Sequence, residues 1–305
     1  MSDTNINAQE SNTYANIFTF MGFPLGRNLD ENVDAVVMGV PYDLATTGRS
    51  GTRYGPSGIR QASSILRWES KRWPWDFPLL DRLKVMDYGD IVFEDGNSDS
   101  MLSAVSEEAC KILSKGKTLL SLGGDHFVTL PLIRAAAKEH GQLALVHFDA
   151  HTDTETGHGD YCHGSMFHIA NEEGIIDPDR TVQIGIRTEY EKQNHPFLVM
   201  DAIWAENHSV DEIAEKIIQT VGDMPTYISF DIDCLDPAYA PGTGTPVAGG
   251  LSTNKALQIL RKLTQLNIIA MDLVEVSPAY DHSEITSLAG ATIALEMLYV
   301  VATSK

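Results

Sequence analysis

Cysteine is scarce in this chain. Its 305 residues include three, Cys110, Cys162 and Cys234. They are widely spaced, odd in number and without a CxxC pair, which argues against a disulfide framework or a thiolate zinc site. Positive charge is also short: 22 Lys and Arg against 42 Asp and Glu leave a formal net charge of −20. Such a surface repels phosphate backbones and anionic lipids, so nucleic-acid and membrane-surface binding lose their electrostatic support, while small cations are attracted. The first reading of that charge is a solvated face that keeps a protein dissolved, so its sign serves only as support. No basic, apolar leader opens the sequence, so no signal peptide is expected. Nor does any run reach the ~18 apolar residues of a membrane span; the nearest, Ile293 to Ala302, is broken by Glu296. These absences predict a soluble protein of a reducing cytoplasm.

What is present is an ordinary globular balance, 43% apolar and 21% charged, which excludes disorder and low-complexity chains. At about 150 residues per domain the length permits two, but no linker or repeat divides it. The expectation is a polar N-terminal arm over 1–30 and one catalytic domain over 31–305. Within that domain short β-branched runs alternate with helical patterns, the order of an α/β protein whose parallel sheet is covered on both faces. Strands are predicted at 35–40, 83–87, 117–122, 143–148, 182–186, 226–230 and 268–274, mostly apolar throughout, as strands buried on both faces should be. Helices are predicted at 56–66, 101–114, 131–140, 210–221 and 254–264. A last helix is expected to start from a capping box made by Asp281 and Glu284. Two stretches fit neither element: Thr154 to His163, rich in Gly, Asp and His, and Asp236 to Gly250, where Pro and Gly cluster. Both follow apolar strands, which places them at the carboxyl edge of the sheet, where open α/β proteins bind ligands.

Three strand ends carry metal-competent side chains: SLGGDH (Ser121 to His126), HFDAHTD (His147 to Asp153) and SFDIDCLD (Ser229 to Asp236). Asp149, His151 and Asp153, then Asp231 and Asp233, alternate with other residues, and a period of two in extended chain would put them on one face. Several Asp side chains gathered at buried strand ends cannot all stay ionised unless a large positive charge sits among them. A cation is therefore implied. Four Asp and two His without Cys form an oxygen-rich set that suits Mn²⁺ or Mg²⁺, with Fe²⁺, Co²⁺ or Ni²⁺ also compatible, better than structural zinc. Six ligands exceed the needs of one four-coordinate ion. Two ions about 3.5–4 Å apart, bridged by aspartate, would use them all and bring water's pKa from about 15.7 to about 7, a hydrolytic nucleophile.

A single DxD is often only a turn; it is the three ends together that carry the metal reading. His147, inside an apolar strand, reads as a satisfied core histidine, Asp125 as a support for His126, and Asp236 as a loop-start residue. Competing motifs are incomplete. The GTG at 242–244 has Val247 where a dinucleotide fingerprint wants glycine, and the GKT at 116–118 has Lys111 where a phosphate loop wants glycine. A Cys162 nucleophile activated by His163 is disfavoured, because sequence neighbours seldom present a nucleophile to its base.

The three strand-end segments resemble the signatures of the ureohydrolases, the arginase and agmatinase group. GTRYGPSGIR (Gly51 to Arg60) and MDLVEVSP (Met271 to Pro278) also match. HFVTLP, HTDT and HGSMF are most similar to the bacterial agmatinases within that family. The resemblance implies a three-layer α/β/α fold with a mostly parallel central sheet and two Mn²⁺ per subunit. His126, Asp149, Asp153 and Asp231 would hold one ion, and His151, Asp149, Asp231 and Asp233 the other, with Asp149 and Asp231 bridging. Glu275 matches the guanidinium-binding glutamate and His163 the proton shuttle. His158 is a rival for that shuttle without family support. Asp153 would also steady the nucleophile. The family further implies a homo-oligomer, trimeric or hexameric, to which the arm and the aromatic stretch from Trp68 to Phe77 could contribute. The expected substrate is a small cationic guanidino compound. Agmatine, cleaved to putrescine and urea, is favoured because Thr154 and Glu155 replace the arginases' asparagine after the metal segment, and because Glu155 and Asp160 would form an acidic mouth. The alternatives are 4-guanidinobutyrate, free guanidine or arginine hydrolysis, or a non-catalytic paralogue.

Overall fold

The computed structural model describes residues 17–157 and 161–304. His158, Asp160 and the first half of the expected arm lie outside them. Eight strands, β1 (Ala35–Gly39), β2 (Val85–Asp90), β3 (Thr118–Leu122), β4 (Leu143–Phe148), β5 (Ile176–Ile184), β6 (Leu198–Met200), β7 (Pro225–Asp231) and β8 (Asn267–Val274), form one sheet. Its order is β2-β1-β3-β8-β7-β4-β5-β6, and every neighbouring pair is parallel. The sheet is thus wholly rather than mostly parallel. β6, only three residues long, has too little pattern to be seen in the sequence.

The helices are α1 (Gly55–Ser63), α2 (Leu79–Arg82), α3 (Ser98–Leu113), α4 (Thr129–His140), α5 (Met166–Glu172), α6 (Ala202–Asn207), α7 (Val210–Val221), α8 (Thr253–Arg261) and α9 (Ile285–Thr303). Successive residues of a strand face opposite sides of the sheet, and there is a core on each. Val36 and Met38 of β1 join one core with residues of α3, α4 and α5. Ala35 and Val37 join the other with residues of α1, α7, α8 and α9. The result is the three-layer α/β/α arrangement. α7 shows how a helix is placed: Ser209 and Glu212 close a capping box, and Ile213, Ala214, Ile217 and Val221 bury one face.

α9 departs from expectation twice. It is long and apolar enough to cross a membrane by length and composition, but 89% of that stretch is buried inside the protein, so its apolar surface is used in the core. Its buried Glu296 accepts from Trp75 and from the Arg261 guanidinium. The expected capping box is also not formed. Ser283 and Glu284 take left-handed backbone conformations, so Glu284 rather than Asp281 immediately precedes the helix. Asp281 instead accepts from the backbone of Thr286 and Ser287, while Glu284 reaches Gln61.

The chain expected as an arm joins the body at Phe20. Phe20 and Phe23 are buried, and the Phe20 amide donates to Asp87. In the aromatic stretch Trp75 stacks on Tyr299, whereas Trp68 and Trp73 are exposed.

Candidate metal centre and active site

The four central strands, in the spatial order β3, β8, β7, β4, deliver the candidate residues from their carboxyl ends. The side chains do not converge by strand alternation. β4 ends at Phe148 and β7 at Asp231, so most of them lie on loops. The loops after β3, β4 and β7 open instead on the same local turn, in which an Asp accepts the amide two residues on: Asp125 from Phe127 at 3.1 Å, Asp149 from His151 at 2.6 Å and Asp231 from Asp233 at 2.7 Å. Asp side chains compete for nearby amides in this way and end the strand. Asp153 adds a left-handed turn, with φ of 51°.

The turns bring two groups together that share Asp149. His126 Nδ1 lies 3.1 Å from Asp149 Oδ2, 2.8 Å from Asp153 Oδ2 and 3.2 Å from Asp231 Oδ2. His151 Nδ1 lies 3.3 Å from Asp149 Oδ1 and 3.1 Å from Asp233 Oδ2. All six residues expected as ligands are therefore assembled. Without a cation the carboxylates of the cluster oppose one another. Burial, then the charges of Asp233 and Asp149, push Asp231 well above the carboxylate range, and burial and Asp149 raise Asp233 to about 6. Burial disfavours a charged His151, but hydrogen bonds to Asp149 and Asp233 outweigh it and hold the ring up at about 12. His126 Nδ1 is buried without a well-formed hydrogen bond. An unsatisfied ring nitrogen facing three carboxylate oxygens is the donor set of a metal ligand.

Beside this cluster stands Glu275, just past β8, with a left-handed φ of 64°. Its Oε1 accepts from the His126 amide at 2.9 Å and from His163 Nδ1 at 2.7 Å. Its Oε2 is buried with no partner among the described residues. A Cβ added at Gly244 would lie 3.3 Å from that oxygen, so glycine leaves room there for a ligand. His163 Nε2 accepts from the Thr47 amide at 3.0 Å and lies 2.7 Å from the Thr47 hydroxyl. Burial lowers His163, but Glu275 more than reverses this and raises it to about 9; a protonated Nε2 would give up the Thr47 amide and donate to the Thr47 hydroxyl beside it instead. The loop carrying Thr47 is pinned to the centre: Asp125 accepts from the Ala45 amide at 2.8 Å. A Cβ at Gly124 would sit 1.6 Å from the Tyr42 carbonyl, so only glycine allows that approach.

The sequence matches the Arginase family over residues 33–299. It is 56% identical to an agmatinase of Photorhabdus laumondii over 98% of this chain and 97% of that one. Among solved structures, a hypothetical agmatinase from Burkholderia thailandensis superposes with a TM-score of 0.92 at 48% identity, over 95% of this chain and 92% of that one. Proclavaminate amidino hydrolase from Streptomyces clavuligerus superposes with a TM-score of 0.91 at 37% identity, covering 97% and 100%. The chain belongs to the arginase family.

What this arginase-family chain adds to the expected ligands is a set of supports, of which only His147 was expected, as a satisfied core histidine. Ser121, Asp272, Ser229, His147 and Gln183 stand opposite one another on β3, β8, β7, β4 and β5, one polar row crossing five strands beneath the cluster. The signal was visible: each is a polar residue inside an apolar strand, and buried polar groups call for partners, which all of them but Ser121 find among the described residues. His126 Nε2 meets Ser229 Oγ at 2.8 Å, and Ser229 Oγ donates to Asp272 Oδ1 at 2.8 Å. Arg187 was missed as well. Its guanidinium donates to the carbonyls of Gly185, Asp233, Cys234, Leu235 and Val247, tying the Asp233 loop to the 236–250 stretch.

The secondary expectations divide. Among the described residues no hydrogen bond joins Asp125 to the His126 ring; its carboxylate is used on the amides of Phe127 and Ala45. His147 is satisfied in the core, by Asp149 and Gln183. Asp236 organises its loop by accepting from Ala238, Gly249 and Gly250. Burial pushes the Cys162 thiol up, and the His163 ring nitrogens face Glu275 and Thr47, so no activated thiolate is formed. Glu155 is exposed at the rim, its amide bonded to the Gly164 carbonyl.

Proposed function

We propose that this chain hydrolyses agmatine to putrescine and urea, with two Mn²⁺ held by His126, Asp149, Asp153, Asp231, His151 and Asp233. The observation that carries this reading is Glu275 Oε2, a buried carboxylate oxygen left open beside two His/Asp groups. A guanidinium presents planar N–H donors that match a carboxylate. When bound, the divalent ions supply acidified water and charge stabilisation. Glu275 accepts a guanidinium N–H on Oε2 and so fixes the plane of the substrate for attack on its carbon. Asp153, gathered with His126 and Asp149, orients the attacking water. The water oxygen bonds to the guanidinium carbon, one C–N bond breaks, and the departing nitrogen takes a proton. His163, hydrogen-bonded to the same Glu275, holds the exchangeable proton for that step.

Agmatine is preferred because no cationic side chain answers an α-carboxylate in the metal segment, whose Asp153 is followed by Thr154 and Glu155. Glu155, with Asp160, would attract a dication. The acidic composition and the three free cysteines support a cytoplasmic enzyme that binds neither nucleic acid nor membrane. The family resemblance suggests a homo-oligomer, trimeric or hexameric, to which the exposed Trp68 and Trp73 would offer apolar surface. Urea release from agmatine, arginine, 4-guanidinobutyrate and guanidine, each with Mn²⁺, tests the reading. Agmatine should be turned over fastest. Turnover of arginine or guanidinobutyrate without agmatine would overturn the substrate, and agmatine binding without urea would leave a non-catalytic protein.

A further inference from the structure

His147 poses a question that distance does not answer. Its ligand atom lies within 4.8 Å of those of His126, Asp149 and Asp153, close enough to count as a further metal ligand. The hydrogen bonds around it say otherwise. Gln183 Nε2 lies 2.7 Å from the Thr152 carbonyl oxygen and 2.9 Å from His147 Nδ1. A carbonyl oxygen only accepts, so the Gln183 atom facing it is the NH₂, and its second hydrogen points at His147 Nδ1. That nitrogen must carry a lone pair. The ring proton therefore sits on Nε2, 2.8 Å from Asp149 Oδ2, and His147 has no lone pair left for a metal. Gln183 Oε1 is used as well, accepting from His195 Nε2 at 2.7 Å. Both Gln183 and His147 are fully buried, so no water competes for these bonds.

We propose that Gln183 is a positioning residue that sets the tautomer and orientation of His147, and that the pair holds Asp149, the carboxylate shared by both metal groups, in its working rotamer. The same amide grips the Thr152 carbonyl, which lies between His151 and Asp153, so one side chain steadies the loop carrying three ligands. The chain of bonds continues to His195 at the wall of a cleft of about 300 Å³ also lined by His151, Glu189 and Glu191. Partners that orient metal ligands typically change metal affinity by about 10–100-fold when removed. The inference about Asp149 rests on the metal reading above; the inference about the tautomer does not.

Two measurements on the full chain test it. In the metal-free protein, imidazole nitrogen NMR should show His147 with a lone pair on Nδ1 and a proton on Nε2. In Gln183→Glu, nearly isosteric but able only to accept, Nδ1 should become protonated. In chelator competition with Mn²⁺ alone, Gln183→Leu and His147→Leu should each weaken binding by about 10–100-fold. His147→Gln should restore it, since its amide can donate to Asp149 and accept from Gln183. A proton on His147 Nδ1 in the unaltered chain, or an unchanged tautomer in Gln183→Glu, would overturn the assignment of Gln183. Unchanged Mn²⁺ affinity in both Leu variants would overturn the link to Asp149. If the unaltered chain takes up no Mn²⁺, the metal reading fails, and the resonances alone decide whether Gln183 governs His147.

Discussion

The polar row beneath the cluster has two halves of opposite polarity. On the β8 and β7 side the row ends in an acceptor. Asp272 receives hydroxyls from Ser229 at 2.8 Å, Thr129 at 2.7 Å and Tyr227 at 2.6 Å. Ser229 must donate to it, so Ser229 accepts the Nε2 proton of His126, and Nδ1 is left to face the carboxylates. On the β4 and β5 side the row ends in a donor. Gln183 gives a hydrogen to His147 Nδ1, so His147 presents its Nε2 proton to Asp149. The two rings lie 5.2 Å apart and are equally buried, yet one offers a metal its lone pair and the other offers a carboxylate a proton. Residue type and depth do not distinguish a ligand from its support here; the far end of each hydrogen-bond chain does.

The severest way to break this comparison is to remove the residue on which both halves converge. Asp149→Ala should lose both metals and urea formation, read by metal analysis of the purified protein; retention of two ions would refute the shared role. His163→Ala lies outside both halves. Its turnover should fall by about 10²–10⁴-fold while metal content stays unchanged, and loss of metal would make His163 structural instead. Ser229→Ala removes the acceptor half alone, leaving the His126 Nε2 proton without a partner. It should weaken Mn²⁺ binding by about 10–100-fold, and an unaltered affinity would show that the row does not orient His126.

Titration sharpens the contrast further. In the metal-free chain burial lowers His126, but Asp149, Asp153 and Asp231 raise it well above the histidine range, and His151 stands at about 12. Each must give up a proton to bind a metal, so Mn²⁺ should acidify a weakly buffered solution and its affinity should rise with pH. The absence of proton release would mean the rings are already neutral. His163 supplies the matching stability test. Its folded value, raised from 6.5 to about 9, contributes stability that is fully present below pH 6.5 and lost as pH rises through 9. The Tm of metal-free protein should fall over that interval by more than in His163→Ala. The smallest effect belongs to the rim. Glu155→Gln should raise KM for a dicationic substrate only a few-fold at constant kcat, the scale of an exposed charge contact at about 0.2–1 kcal/mol, and added salt should erase the difference.

Much of the site was legible along the chain because carboxylates gathered at the ends of buried apolar strands repel one another unless a cation joins them. Asp149, His151, Asp153, Asp231, Asp233, His126, Glu275 and His163 lie together at the carboxyl edge of the sheet. Strand alternation is nevertheless not what gathers them. The loops turn on Asp side chains that bond the amide two residues on, a local preference that an alternating pattern conceals. The supports were harder to read. Gln183, Ser229 and Asp272 stood out only as polar residues in apolar strands, and their partners are 36 and 43 residues away. The capping box at Asp281 failed for a similar reason: the left-handed turn at Ser283 and Glu284 arises where α9 meets α1, and Glu284 is drawn to Gln61.

By itself the sequence determined which ligand atoms exist, which loops carry them, and how each loop turns, because an Asp and the amide two residues beyond it need no other part of the chain. The tertiary structure decided what those atoms can do. Only strand register brings Ser229 between His126 and Asp272, or Gln183 between Thr152 and His147. A neutral imidazole has one proton for two nitrogens, so the neighbour supplied by the fold determines which nitrogen remains free for a metal.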